Sequence, residues 1–224
     1  MNQSVDNTIR GLLTEKLVEL EIYLDADVLI YYGPIANGYE NMLLKIVEDL
    51  ASDPDKKEKL YIILTTGGGS ASAVERYVNI IRHHYEEVNF IIPDYAYSAG
   101  TIFCMSGDNI LMDYFSVLGP IDPQVQNKDG KFVAALGYLD KVNELLAKAA
   151  VNTLSNAEFM ILRDFDLAEL RGFEQAKELT TVLLKKWLVK YKFKNWSVHS
   201  TSSALIGRPV TEEEKLARAE KNCR

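Results

Sequence analysis

Three short apolar runs, each separated from the next by helical spacing, constrain this chain more than any other feature. They are DVLIYY (27–32), LYIILT (60–65) and VNFIIP (88–93). Residues 38–51 place Met42, Leu43, Ile46, Val47 and Leu50 on a helical repeat, and residues 71–85 do the same with Val74, Val78 and Ile81. Continuous apolar strands joined by helices predict a parallel sheet covered on both faces, because parallel neighbours need crossover connections. An amphipathic helix is expected over 8–21, and short strands at NILM (109–112) and SVLG (116–119). From about 133 to 190 the pattern is helical without a strand signal. Residues 195–210 read as a polar loop, and Thr211 with Glu214 forms a capping box for a last helix. So short and charged a helix is expected to dock on a partner, or the chain is a truncated form of a longer one. The expected organisation is an α/β core over 1–132 and a helical extension over 133–224, continuous with it as one domain.

Charge narrows the partners. Across 224 residues, 25 Lys and Arg stand against 32 Asp and Glu, a net charge of −7. An acidic chain without a basic block is not built for nucleic acid or an anionic membrane, since both attractions need excess positive charge. Cys104 and Cys223 are too far apart in sequence for a CxxC motif. Cys104, inside TIFCM, reads as a buried thiol. No apolar stretch is long enough for a membrane span, and the N-terminus lacks the pattern of a signal peptide. A cytoplasmic location, no metal and no cofactor are the expectations.

Chemistry concentrates at three places. Gly67-Gly68-Gly69 follows the 60–65 strand and opens a helix. Such a run suits a tight turn, an oxyanion hole or a phosphate loop, although neither GxGxxG nor a Gly-Lys-Ser/Thr ending is present. Ser98, in YSAGT, stands where a helix begins after the 88–93 strand, at the sheet edge where open α/β sheets bind ligands. Its bland role is that of an N-cap. In Leu118-Gly119-Pro120-Ile121-Asp122-Pro123-Gln124, two prolines stiffen a loop around an acid. Tyr95 and Tyr97 fit the walls of a cleft, or simple packing.

The succession TTGGGSASAV, YSAGT and SVLGPIDPQ resembles the serine peptidases of the Clp/crotonase fold, and most closely the serine dehydrogenase proteinase family. The Clp protease proteolytic subunit and signal peptide peptidase A are relatives. The resemblance covers roughly residues 24–150 and is looser through 160–220, at HSTSSALIGRPVTEEEK. It implies a Clp/crotonase-like parallel sheet with repeated ββα units and a helical C-terminal extension. It also implies a serine peptidase acting on peptides or proteins, and a homo-oligomer. Trp187, Tyr191, Phe193 and Trp196 would supply apolar surface for such assembly unless they pack within the chain.

By that resemblance Ser98 is the nucleophile, and Gly68, with Gly69 beside it, and Ala99 supply the oxyanion hole. Asp122, in the supporting loop, either orients a base or simply caps the GPIDP turn. The Clp subunit carries a histidine in the segment that reads SVLGPID here, where none stands. His83 and His84 fall at the far end of their helix, and His199 in the late loop. Lysine-dyad relatives use a lysine base, and Lys128, Lys131, Lys141 and Lys148 are available. Lys141 matches their spacing. The other role for Lys141 is a surface pair with Glu144. Two other functions fit the same fold: a pseudopeptidase or peptide-binding scaffold without a base, and a crotonase-like acyl-CoA enzyme.

Overall fold

The computed structural model describes residues 3–126, 130–200 and 206–222. The chain divides into two compact units, Met1–Gly119 and Pro120–Arg224. Each is considered separately below.

The first unit opens with helix α1 (Gln3–Leu24) and strand β1 (Asp27–Tyr32). Helix α2 (Glu40–Ala51), β2 (Lys59–Thr65), α3 (Ala71–His84) and β3 (Glu87–Ile92) follow. After the short β4 (Tyr95–Ala96) come α4 (Ala99–Met105), β5 (Asn109–Met112) and β6 (Val117–Leu118). The four main strands lie in the order β1-β2-β3-β5, all parallel. The expected runs at 27–32 and 109–112 are strands over those same residues.

One face of the sheet is fully buried through Leu60, Ile62, Leu64, Phe90 and Ile92. Burying one such side chain contributes about 1.5–3 kcal/mol. The other face differs from the expectation of complete cover. A row in register, Ile30, Ile63, Ile91 and Leu111, is only half-buried at its centre and exposed at its two ends. Parallel strands thus kept their apolar runs although only one face is closed.

A buried ion pair ties the first unit together. Arg82 at the end of α3 meets Asp108 at 2.9 Å, both nearly inaccessible. Asp108 also accepts the Val88 N–H, and Arg82 donates to the carbonyls of Glu86 and Ser106. Such extra bonds are what make a buried pair tolerable. Cys104 lies fully buried in α4, as expected. Cys223 falls outside the described residues.

The second unit begins with an antiparallel hairpin, β7 (Gln124–Gln126) and β8 (Phe132–Ala134), which the sequence pattern did not signal. Helices α5 (Ala135–Ala150), α6 (Asn156–Arg163) and α7 (Leu167–Trp187) follow, and α7 runs into a π-helical turn (Leu188–Lys192). Helix α8 (Glu212–Asn222) closes the unit. Ala135, Leu139 and Phe173 form its core beside Val125, Val133, Tyr138 and Leu170. The expected capping box is present: Glu214 N–H donates to Thr211 Oγ1 and Thr211 N–H to Glu214 Oε2. The aromatic tail packs within the unit. Trp187 is buried, Phe193 meets Trp196, and Arg218 lies over both rings.

Candidate active site

The C-terminal ends of β2 and β3 bring two loops together. Thr66, just past β2, donates its N–H to Tyr95 O at 3.1 Å, and its carbonyl accepts from Tyr97 N–H at 3.0 Å. Those bonds extend the sheet by one parallel bridge between Thr66 and Ala96. The glycine run departs on one side of the bridge and Ser98 on the other.

Gly68 has φ 100°, and a Cβ there would lie 2.6 Å from Tyr97 O, 2.9 Å from Ser98 Cβ and 3.3 Å from Ala99 N. Only a glycine fits both that torsion and that approach. The glycine loop therefore lies directly against Ser98 and Ala99. Gly69 is fixed next to it: Ile35 N–H donates to Gly68 O and Ser70 N–H to Ile35 O. Ser70 then caps α3 by accepting the Ala73 N–H.

Ser98 does not cap. It stands at the N-cap position of α4, yet its side chain makes no cap hydrogen bond. Its backbone has φ 52° and ψ −115°, and Gly100 N–H donates to Tyr97 O at 2.8 Å. These are the torsions of the first central residue in a type II′ turn, where glycine is the usual occupant. A side chain in such a conformation costs about 1–3 kcal/mol and is kept only where its surroundings enforce it. Ser98 is half-buried, and among the described residues its hydroxyl has no hydrogen-bond partner.

The surroundings that enforce the turn are visible. Thr101, buried in the first turn of α4, directs its hydroxyl to Ala96 O and Gly119 O, at 2.8 and 2.9 Å. Gly119 N–H returns a bond to Ala96 O. Gly119 must lack a side chain because a Cβ would enter the Tyr97 ring. Tyr95 and Tyr97 stack on one another at 4.9 Å beside Ser98.

The amides sort clearly. Gly68 N–H donates to Thr66 Oγ1 at 3.0 Å. Among the described residues, the N–H groups of Gly69 and Ala99 have no partner. Free amides beside a serine, one of them at a helix N-terminus, suit a developing negative charge.

Asp122, Lys141 and His199 belong to the second unit. Asp122 Oδ1 accepts Leu136 N–H at 3.1 Å, anchoring the first turn of α5. Lys141 is on α5 with half its side chain exposed, and its Nζ bonds Glu144 Oε2 at 2.9 Å. Glu144 also pairs with Lys148, which reaches Glu158. Bonds from Lys141 first, then Lys148, hold the Glu144 carboxyl below the usual range. Glu158 falls to about 2, by Lys148 first and then Ser155. His199 Nε2 meets Glu214 Oε2 at 3.2 Å and its ring abuts Trp196. His83 and His84 meet edge to face at the end of α3. Lys131 is exposed, and Lys128 lies outside the described residues.

The structure thus brings together Gly68, Gly69, Ser98 and Ala99. Thr66 and Thr101 were not singled out in the sequence. Their signal was position: one hydroxyl directly before the glycine run, the other three residues after the serine.

The profile of ClpP-like SDH-type serine proteinases matches residues 40–201, which contain this whole constellation. The chain belongs to that family. Two uncharacterized proteins of Methanocaldococcus jannaschii are similar to it, at 32% identity over 61% of this chain and 29% over 54%. The chain spans about half the length of these curated relatives, 49% and 43%. Among solved structures, a membrane-bound stomatin-specific protease is similar in two mutant forms. The lysine-to-alanine mutant, in complex with a substrate peptide, has 23% identity over 54% of this chain and 55% of that one, with a TM-score of 0.42. The serine-to-alanine mutant has 18% identity over 73% and 74%, also with a TM-score of 0.42. No helix among the described residues of this family member is long and apolar enough to cross a membrane.

Proposed function

We propose that this chain is a serine peptidase that forms an acyl-enzyme at Ser98 and uses Lys141 as its base. The observation that carries the reading is the backbone of Ser98. It is held in a glycine-like turn with an uncommitted hydroxyl, against a glycine loop. An N-cap serine needs no such torsion.

In the reaction Ser98 Oγ attacks the scissile carbonyl carbon and gives its proton to neutral Lys141 Nζ. The carbonyl oxygen becomes the oxyanion and accepts from Gly69 and Ala99 N–H. Gly68 supports the hole by packing rather than by donating, since its N–H is used by Thr66. Each donor of this kind is worth about 2.7–4 kcal/mol in the transition state. Collapse of the intermediate expels the amine, which takes the proton from Lys141. Water then repeats the sequence on the acyl-enzyme and releases the acid. For Lys141 to act, its bond to Glu144 must open. Asp122 would help by fixing the start of the helix that carries it.

A fluorophosphonate probe tests the nucleophile. Labelling of the wild type and not of Ser98→Ala or Lys141→Ala supports the reading; labelling that survives Ser98→Ala overturns it. One observation favours a second reading, a peptide-binding scaffold without a base: Lys141 is held by Glu144 and His199 by Glu214. That reading expects no labelling at any pH and unchanged behaviour in Lys141→Ala. Self-association belongs to the proposal as well. Helix α1 exposes Ile9, Leu12, Leu13, Ile22 and Tyr23, and light scattering should return a mass above that of one chain.

A further inference from the structure

We infer that Thr66 is the positioning residue that selects which glycine amide serves the oxyanion hole and sets its distance from Ser98. This role rests on the reading of Ser98 as nucleophile.

Three separate parts of Thr66 act on three parts of the site. Its backbone forms the bridge to β4, with bonds of 3.1 Å to Tyr95 O and 3.0 Å from Tyr97 N–H, so it fixes the register of the strand that leads into Ser98. Its hydroxyl oxygen accepts the Gly68 N–H at 3.0 Å, inside a residue only 1% exposed. Its methyl group packs on Gly100, where a Cβ would collide with it, and so presses on the first turn of α4. One residue therefore touches the glycine loop, the nucleophile strand and the helix that bears the Ala99 amide.

The hydroxyl bond has a consequence for catalysis. Without the Thr66 hydroxyl, the Gly68 N–H would lose its acceptor and the glycine loop this tether to the residue just past β2. With Gly68 N–H held down, the adjacent Gly69 N–H is the group left over. Fixing the Gly68 peptide also limits the orientation of the Gly69 peptide that follows it. A shift of the donor by about 1 Å can cost two orders of magnitude in rate.

Thr66→Val tests this, because it keeps the methyl contact and the backbone bridge and removes only the acceptor. The readout is fluorophosphonate labelling resolved into its maximal rate and its half-saturating concentration. The expected result is a fall of about tenfold to a hundredfold in the maximal rate with little change in half-saturation. Thr66→Ser, which restores the acceptor, is expected to recover most of it. A purely structural role would give parallel losses in Val and Ser variants, in proportion to their stability. Val labelling at the wild-type rate overturns the inference while Ser98 remains the nucleophile. Should Thr66→Val fail to fold, the comparison moves to Thr66→Ser and Thr66→Ala. Equal rates in those two would then overturn it. A wild type that no fluorophosphonate labels removes both this role and the reading it rests on.

Discussion

Replacing Ser98 by glycine is expected to make the protein more stable while destroying its chemistry. The reasoning starts from φ 52° and ψ −115° at a residue with a Cβ. That conformation costs about 1–3 kcal/mol in a non-glycine residue. Glycine relieves it, but loses about 0.5–1 kcal/mol more conformational entropy on folding. The net gain is on the order of 0–2.5 kcal/mol. For chains of this length that is a rise in Tm of up to about 10 °C. The proper reference is Ser98→Ala, which keeps the Cβ and the strain. Removing the hydroxyl itself should cost little, because it bonds nothing among the described residues. Calorimetry and urea unfolding followed by circular dichroism on wild type, Ser98→Ala and Ser98→Gly give the comparison. The expected order has glycine above alanine, with alanine near wild type. If glycine is no more stable than alanine, the turn is not strained and the argument that function holds it there fails.

Other outcomes follow from the same geometry. Gly68→Ala should abolish labelling, because its Cβ would sit 2.6 Å from Tyr97 O at a φ of 100°, and kinetic labelling against retained circular dichroism reads this. Asp108→Ala should cost about 3–5 kcal/mol in urea unfolding, since it strands the Arg82 guanidinium without its carboxylate. Glu144→Gln releases Lys141 from its 2.9 Å partner, and a severalfold faster labelling at neutral pH is expected. Glu214 is held at about 2 by the Thr211 N–H first, then His199 and Arg208. A carboxyl depressed in the folded state stabilises fully above its ordinary value of 4.5 and loses that contribution as pH falls toward 2. The protection factors of the α8 amides, corrected for the intrinsic pH dependence of exchange, should therefore fall across that window, and Glu214→Gln should remove that fall.

The sequence made the strands and the motif order legible because both are short-range signals. Alternation of apolar runs with helical spacing needs only a window of about a dozen residues. The TTGGGS and YSAGT segments carry their meaning within a few positions. The β7–β8 hairpin was not legible: its strands are three residues long, Gln124 and Gln126 give no apolar alternation, and the pairing depends on cross-strand contacts. The torsion of Ser98 was equally hidden, because the Thr66 bridge and Gly119 impose it from far along the chain and Thr101 from the next turn. The aromatic tail looked like surface for a partner. It is covered locally by α8, through Arg218 against Phe193 and Trp196. The role of Lys141 turns on which group its Nζ faces during the reaction, and spacing along one helix encodes only its neighbour Glu144.

A crystal structure of the fluorophosphonate adduct tests the central claim most directly. The account predicts a covalent bond from Ser98 Oγ to phosphorus, with the phosphoryl oxygen about 2.7–3.1 Å from both Gly69 N and Ala99 N. It also predicts that Gly68 N–H stays on Thr66 Oγ1. A phosphoryl oxygen turned to solvent, or bound by Gly68 N–H in place of Gly69, would contradict it, as would an adduct on any other side chain.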